Sequence, residues 1–209
     1  MNISVVGTRS VTLPAECVVV TLTVGFMGPD RDKVVADTAE VAEQVRAKLD
    51  EVTADDGGSD AKLTSLRTWT TIPYDDQGQP NTPQHVAQVR GSVRISDLSR
   101  VGPFLGELAT KEGAQVGHLD WRLFDETLAR LQPEVLAGAF GDALERAEWI
   151  AGAAGRANPV VESIEDNGTP SFAMARGKSA FMADSAPSFD LDPEDVEVSA
   201  TLSVKFSTD

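Results

Sequence analysis

Near the C-terminal end, Val196, Val198, Ala200, Leu202, Val204 and Phe206 alternate without interruption with Glu197, Ser199, Thr201, Ser203 and Lys205. Successive side chains of a strand point to opposite faces, so this run demands a β-strand buried on one side and wetted on the other. A second run of the same kind, Val18, Val20, Leu22, Val24 and Phe26 with Thr21 and Thr23 opposite, lies near the start of the chain. Strands of this type need other elements to cover their apolar face.

The covering helices are legible too. Gly28-Pro29-Asp30 breaks the early strand and caps a helix on which Val34, Val41, Val45, Leu49 and Val52 recur at helical spacing. The acidic loop Asp55-Asp56-Gly57-Gly58 ends it. A Thr-rich strand is expected over Lys62–Tyr74, stopping at Asp75-Asp76-Gln77-Gly78. A clearer strand follows, with Val89, Gly91, Val93 and Ile95 on one face and Gln88, Arg90, Ser92, Arg94 and Ser96 on the other. Joined by a short loop, the two make a hairpin. A second helix begins at Ser96-Asp97 or Ser99, carries Val101, Phe104, Leu105 and Leu108, and closes at Gly113, before a strand with Val116, Leu119, Trp121 and Leu123. The order is β-α-β-β-α-β, a recurring unit of α+β domains.

The longest helix is expected over Glu126–Ala154, with a broad stripe from Leu128 and Leu131 to Ile150 and Ala154, and Pro133 leaves open whether Glu126–Gln132 stands apart from it. A short strand at Val160–Ile164 follows. From residue 167 to about 193 the chain is Ser, Ala, Gly, Pro and Met without a period, long for a loop inside a domain, and it reads as a flap or an arm. The expected fold class is α+β, helices packed on sheet. One domain covers residues 1–209, made of a β-α-β-β-α-β portion to residue 125 and a portion from 126 with the long helix, the arm and further antiparallel strands.

Chemistry is sparse. The 209 residues hold 33 acids against 18 bases, a formal net charge of −15, which disfavours nucleic acid and anionic membranes as partners. Cys17, the single cysteine, excludes an intrachain disulfide and reads as a small core residue. His85 and His118 are isolated, so no zinc spacing exists. Gly177-Lys178-Ser179 has the tail of a phosphate-binding loop, but Phe172 stands where its first glycine is needed. The acids from Asp184 to Glu197 lack the glycine and distal glutamate of a calcium loop and read as solvated. No catalytic residue, cofactor or metal site is expected. Met1–Gly7 offers no apolar signal run, and the longest apolar stretch, Cys17–Val20, is far short of a membrane span, so the expectation is a cytoplasmic protein.

Several stretches taken in order carry a family resemblance. They are Ile3-Ser4-Val5-Val6-Gly7, Pro14-Ala15-Glu16 with the Val18–Val24 strand, Thr70-Thr71-Ile72-Pro73-Tyr74, and Gly113-Ala114-Gln115-Val116 before Leu123-Phe124. Ala153-Ala154-Gly155 and Ala186-Pro187 through Pro193-Glu194 complete the set. The chain resembles the SIMPL-domain family, mostly bacterial envelope proteins that include a periplasmic immunogenic protein. The resemblance implies an α+β fold, assembly of some members into rings or hollow oligomers, and roles in envelope and stress physiology. It supplies no catalytic residues, and family members usually carry a signal peptide or lipoprotein signal.

The residues that point to binding are the tryptophans Trp69, Trp121 and Trp149 and the apolar side chains of the arm, Phe172, Met174, Phe181, Met182 and Phe189. Such side chains either cover the domain's own core or dock on a neighbour. The expected function is therefore non-enzymatic, through self-association as a homo-oligomer or through an unidentified protein partner. The alternative is a small-ligand-binding protein or an enzyme of unrecognised type with a pocket beneath residues 167–193.

Overall fold

The computed structural model describes residues 1–167 and 191–209 and the backbone of 171–174. The chain forms two compact units of mixed α and β structure. Of the described residues, the terminal unit contains Met1–Ala15, those from Leu123 to Met174 and Glu194–Asp209; the central unit contains Glu16–Arg122 and residues 191–193.

In the terminal unit, strand β1 (Asn2–Pro14) runs antiparallel to β9 (Asp195–Ser207) over its whole length, Asn2 opposite Ser207 and Pro14 opposite Asp195. Strand β9 also pairs with β7 (Val160–Asp166) and β8 (Ser171–Met174). Its alternation is the one expected: every second residue from Val196 to Phe206 is buried. Helix α3 (Asp125–Ala153) packs on β1 and β9. It buries Leu131, Val135, Ala139, Ala143, Ala147 and Ala151, one residue in four, a narrow row rather than the broad stripe expected. Alanines bring the helix backbone close to the strand. At Gly7 of β1 an added Cβ would stand 2.0 Å from the Ala139 carbonyl oxygen and 2.8 Å from the Ala143 Cβ. Two polar contacts fasten the same pair: Thr8 N donates to Asp142 Oδ2 at 2.8 Å, and Arg146 Nη1 donates to the Val6 carbonyl at 2.8 Å.

Pro133 does not separate a lead-in segment. The helix runs through it from Asp125. Pro133 is on the exposed side, and Ala129, whose carbonyl loses its usual donor, is exposed as well, so water can take the freed acceptor.

In the central unit, β2 (Cys17–Gly28) lies between β5 (Gln84–Ile95) and β6 (Ala114–Arg122), antiparallel to both. The single strand expected over Lys62–Tyr74 is two, β3 (Gly58–Leu63) and β4 (Arg67–Thr71), laid end to end against β5. Thr64 bridges the break. Its amide donates to the Arg90 carbonyl at 2.7 Å, and its hydroxyl accepts from the Arg90 amide at 3.1 Å. The hairpin is therefore β4–β5, and its loop, residues 72–83, is long rather than short.

Helix α1 (Arg31–Thr53) covers β2 and β5, and α2 (Val101–Ala109) packs on β6. Asp30 caps α1 as its sequence implies, accepting from the amides of Asp32 and Lys33 at 3.0 and 3.1 Å. Val18, Val20 and Val24 of β2 are fully buried, each worth on the order of 1.5–3 kcal/mol. The buried Thr38 hydroxyl donates within α1 to the Val34 carbonyl at 2.8 Å, so it is not left unsatisfied.

The close approach of α3 to β1 has a measurable consequence. Gly7→Val should lose roughly 2–3 kcal/mol in urea unfolding, because a side chain has to displace helix backbone. Gly141→Ala, in α3 with nothing within 4 Å of its added Cβ, should gain about 0.5–1 kcal/mol. A neutral Gly7→Val would show that α3 does not sit this close.

Candidate interaction surface

Register assigns the two faces of the central sheet. Val18, Val20, Leu22, Val24 and Phe26 of β2 pair with Ile95, Val93, Gly91, Val89 and Ala87 of β5, and these form the face under the helices. The residues between them form the opposite face, on which Thr21, Met27 and Arg90 are exposed. Across its end runs an apolar row of three strands. Met27 faces Val86, and Val86 faces Trp69. Met27 is 65% exposed and Trp69 46%.

Strand β4 is exposed at all five residues and, among the described residues, pairs only with β5. Beyond it, Ile72 and Tyr74 are exposed as well. The loop that carries them is organised by Asp75, whose carboxylate accepts from the amides of Gln77 and Gln79 at 2.9 and 2.8 Å, while Asn81 N donates to the Pro73 carbonyl at 2.8 Å. An Asp in this position holds a turn that its backbone alone would not. The result is an ordered hairpin end with three large apolar side chains in water.

On the helix side of the same hairpin, Thr70 Oγ1 and His85 Nδ1 are 2.9 Å apart, at a cavity of about 230 Å³ that Arg31, Thr68 and Trp69 also line. Among the described residues no carboxylate lines it, and the partner of the His85 ring is the Thr70 hydroxyl. A second cavity, about 290 Å³, lies between α1 and α2. There Lys48 Nζ is 2.7 Å from Glu51 Oε2 and 2.7 Å from Glu107 Oε2. The hydrogen bonds to Glu107 and Glu51 raise the Lys48 ammonium well above its ordinary value, and the bond from Lys48 lowers Glu51. A lysine held between two carboxylates ties helices together and is not a nucleophile.

The tryptophans part company. Trp121 is buried, a core residue of β6, whereas Trp69 and Trp149 are exposed. Cys17 is buried with its thiol directed at the Arg122 carbonyl, 3.7 Å away. His118 is exposed beside a bulge, where Thr21 Oγ1 accepts from its amide at 2.9 Å. Phe172 and Met174 belong to β8, opposite Val198 and Val196 of β9; their side chains, and Phe181, Met182 and Phe189 altogether, lie outside the described residues. So do Gly177-Lys178-Ser179 and the pocket expected beneath the arm. Among the described residues no three His, Cys, Asp or Glu side chains converge as metal ligands, and no helix is long and apolar enough to cross a membrane. Met27 and Val86 were not singled out in the sequence, because only strand pairing sets them beside Trp69.

The Lys48 cluster sets a pH window. A raised lysine stabilises the fold below its unfolded pKa and loses that as pH rises through the folded value. A lowered glutamate stabilises above its unfolded pKa and loses that as pH falls through the folded value. Lys48→Gln should therefore lower the Tm slightly at neutral pH, less in high salt, and the difference should close both in acid, where Glu51 is protonated, and in strong alkali. A difference independent of pH would assign the loss to packing instead.

Among curated proteins nothing matches the chain. The family model described as SIMPL, protein of unknown function (DUF541), matches residues 3–206, which spans β1 at one end of the chain and β9 at the other. The chain belongs to the SIMPL family.

Proposed function

We propose that this protein acts by binding rather than by catalysis, and that its first partner is a second copy of itself. The observation that carries the reading is the end of the β4–β5 hairpin. Among the described residues strand β4 has no partner on its outer edge and is exposed on both faces, and Trp69, Ile72 and Tyr74 are exposed on it and just beyond it. A strand edge of this kind accepts another strand, and exposed aromatic side chains supply the apolar centre of such contacts. A stable interface buries about 800 Å² on each partner, more than a short strand offers, which is why the ordered loop 72–83 is counted into it. The arm residues Phe172, Met174, Phe181, Met182 and Phe189 remain part of the proposal as apolar groups of the same chain seeking cover. A place in envelope or stress physiology rests on the family resemblance alone.

Light scattering behind a sizing column tests this. The full chain should run as a multiple of its own mass at about 50 μM, a concentration at which weak symmetric contacts are populated. Trp69→Ser with Tyr74→Ser should return it to the mass of one chain with an unchanged circular dichroism spectrum. A single-chain mass for the unmodified protein, or an assembly indifferent to the double substitution, would overturn the reading.

A further inference from the structure

The open face of the central sheet carries a second feature. Along β5 the residues of that face are Val86, Gln88, Arg90, Ser92 and Arg94, successive ones about 7 Å apart. The register adds Arg67 of β4 beside Gln88 and Lys62 of β3 beside Ser92. Each rung from 88 to 94 thus holds one cation: Arg67, Arg90, Lys62, Arg94. The rung before them, at Val86, is the apolar row of Met27 and Trp69.

This is unusual in a chain where acids outnumber bases 33 to 18. Elsewhere Lys33, Arg46, Lys48, Arg100 and Arg122 each sit on a carboxylate, whereas among the described residues Arg9, Arg31, Lys111, Arg130, Arg146, Arg156 and Lys205 do not, so what sets this face apart is that the register gathers its cations on successive rungs. Among the described residues Lys62, Arg67 and Arg90 have no carboxylate partner, and all three are exposed. Arg94, among the described residues, reaches only Asp60, at 3.6 Å, and its buried Nε has no hydrogen-bond partner among them. The acids on this face among the described residues are Asp60 and Asp120, and Asp120 already holds Arg122. Cations gathered without counter-charges cost stability unless something negative meets them.

We propose that this face binds an extended acidic peptide segment of a partner protein, with carboxylates at alternate positions and an apolar side chain at the end that meets Met27, Val86 and Trp69. An extended chain places every second side chain on one side about 7 Å apart, the same repeat as the rungs of β5. A nucleic acid fits less well. Its charge continues past the stripe onto the acidic remainder of the protein, whereas a short peptide confines its carboxylates to the cations. The inference rests on the binding reading above for its class of function, but apart from Arg67 and Trp69 of β4 it uses different residues from the self-association contact.

Fluorescence anisotropy with the full chain tests it. The probe is a fluorescein-labelled nonapeptide with Phe first, glutamate at every second position after it and serine between. The expected result is saturable binding that weakens about tenfold between about 50 and about 300 mM salt. Arg67→Glu with Arg90→Glu should weaken it about tenfold or more, Lys62→Gln with Arg67→Gln by less, and Arg130→Glu with Arg156→Glu in the terminal unit not at all. The milder pair keeps the test decisive if charge reversal disturbs folding, and thermal melting of each variant shows whether it does. Absence of binding, or binding indifferent to Arg67, Arg90 and Lys62, would overturn the proposal. So would tighter binding of an oligothymidylate of similar charge, lost in the same variants, which would make the face a nucleic-acid site. Light scattering on the same samples separates the two readings: a monomer that binds the peptide refutes self-association alone, and an oligomer that ignores it refutes the acidic-peptide face alone.

Discussion

Helices stand on one face of the central sheet, and that one-sided cover governs much of what the molecule can do. Under α1 and α2 the strands must be apolar at every second position, because a polar group there would be buried without a partner. On the other side the same strands are released from that demand. Thr21, Arg90 and Met27 could be placed there without breaking the core, and a surface of free composition is where binding chemistry can accumulate. The apolar row Met27–Val86–Trp69 and the cations beside it stand on that face.

The terminal unit meets the same demand by another route. Past Leu131 and Val135 its helix buries only alanines along the row, so there the favourable term comes from close backbone approach and dense contact instead of bulky apolar area. That makes Gly7 indispensable: the nearest helix atoms leave no space for even a methyl group. The contacts of Asp142 with Thr8 and of Arg146 with Val6 set the helix along β1 and engage backbone groups of that strand. Among the described residues strand β4 has no such helix packed on it, and all five of its residues are exposed.

Much of this was legible residue by residue. The Asp30 cap, the buried faces of β2 and β9 and the helical stripe of α1 follow from spacing and side-chain type, since burial and capping are local demands. The division of Lys62–Tyr74 into β3 and β4 was not, because Thr64 bonds across to Arg90, far away in sequence. Nor was the continuity of α3 through Pro133, which depends on which side of the helix meets water. Trp69, Trp121 and Trp149 look alike in sequence, and only the packing of each sends Trp121 inward.

By itself, then, the sequence determined that the chain is built of one-sidedly buried strands with covering helices, since alternation and capping are written within a few residues of each other. It also determined the two acidic and basic totals, though not where the charges meet. Tertiary structure alone decided that β1 pairs with β9 from the far end of the chain, that β4 lies against β5 with no other partner among the described residues, and that Lys62, Arg67, Arg90 and Arg94 stand on successive rungs of one face. The reason is strand register, a relation between distant segments that a shift of one residue would invert and that no single segment encodes.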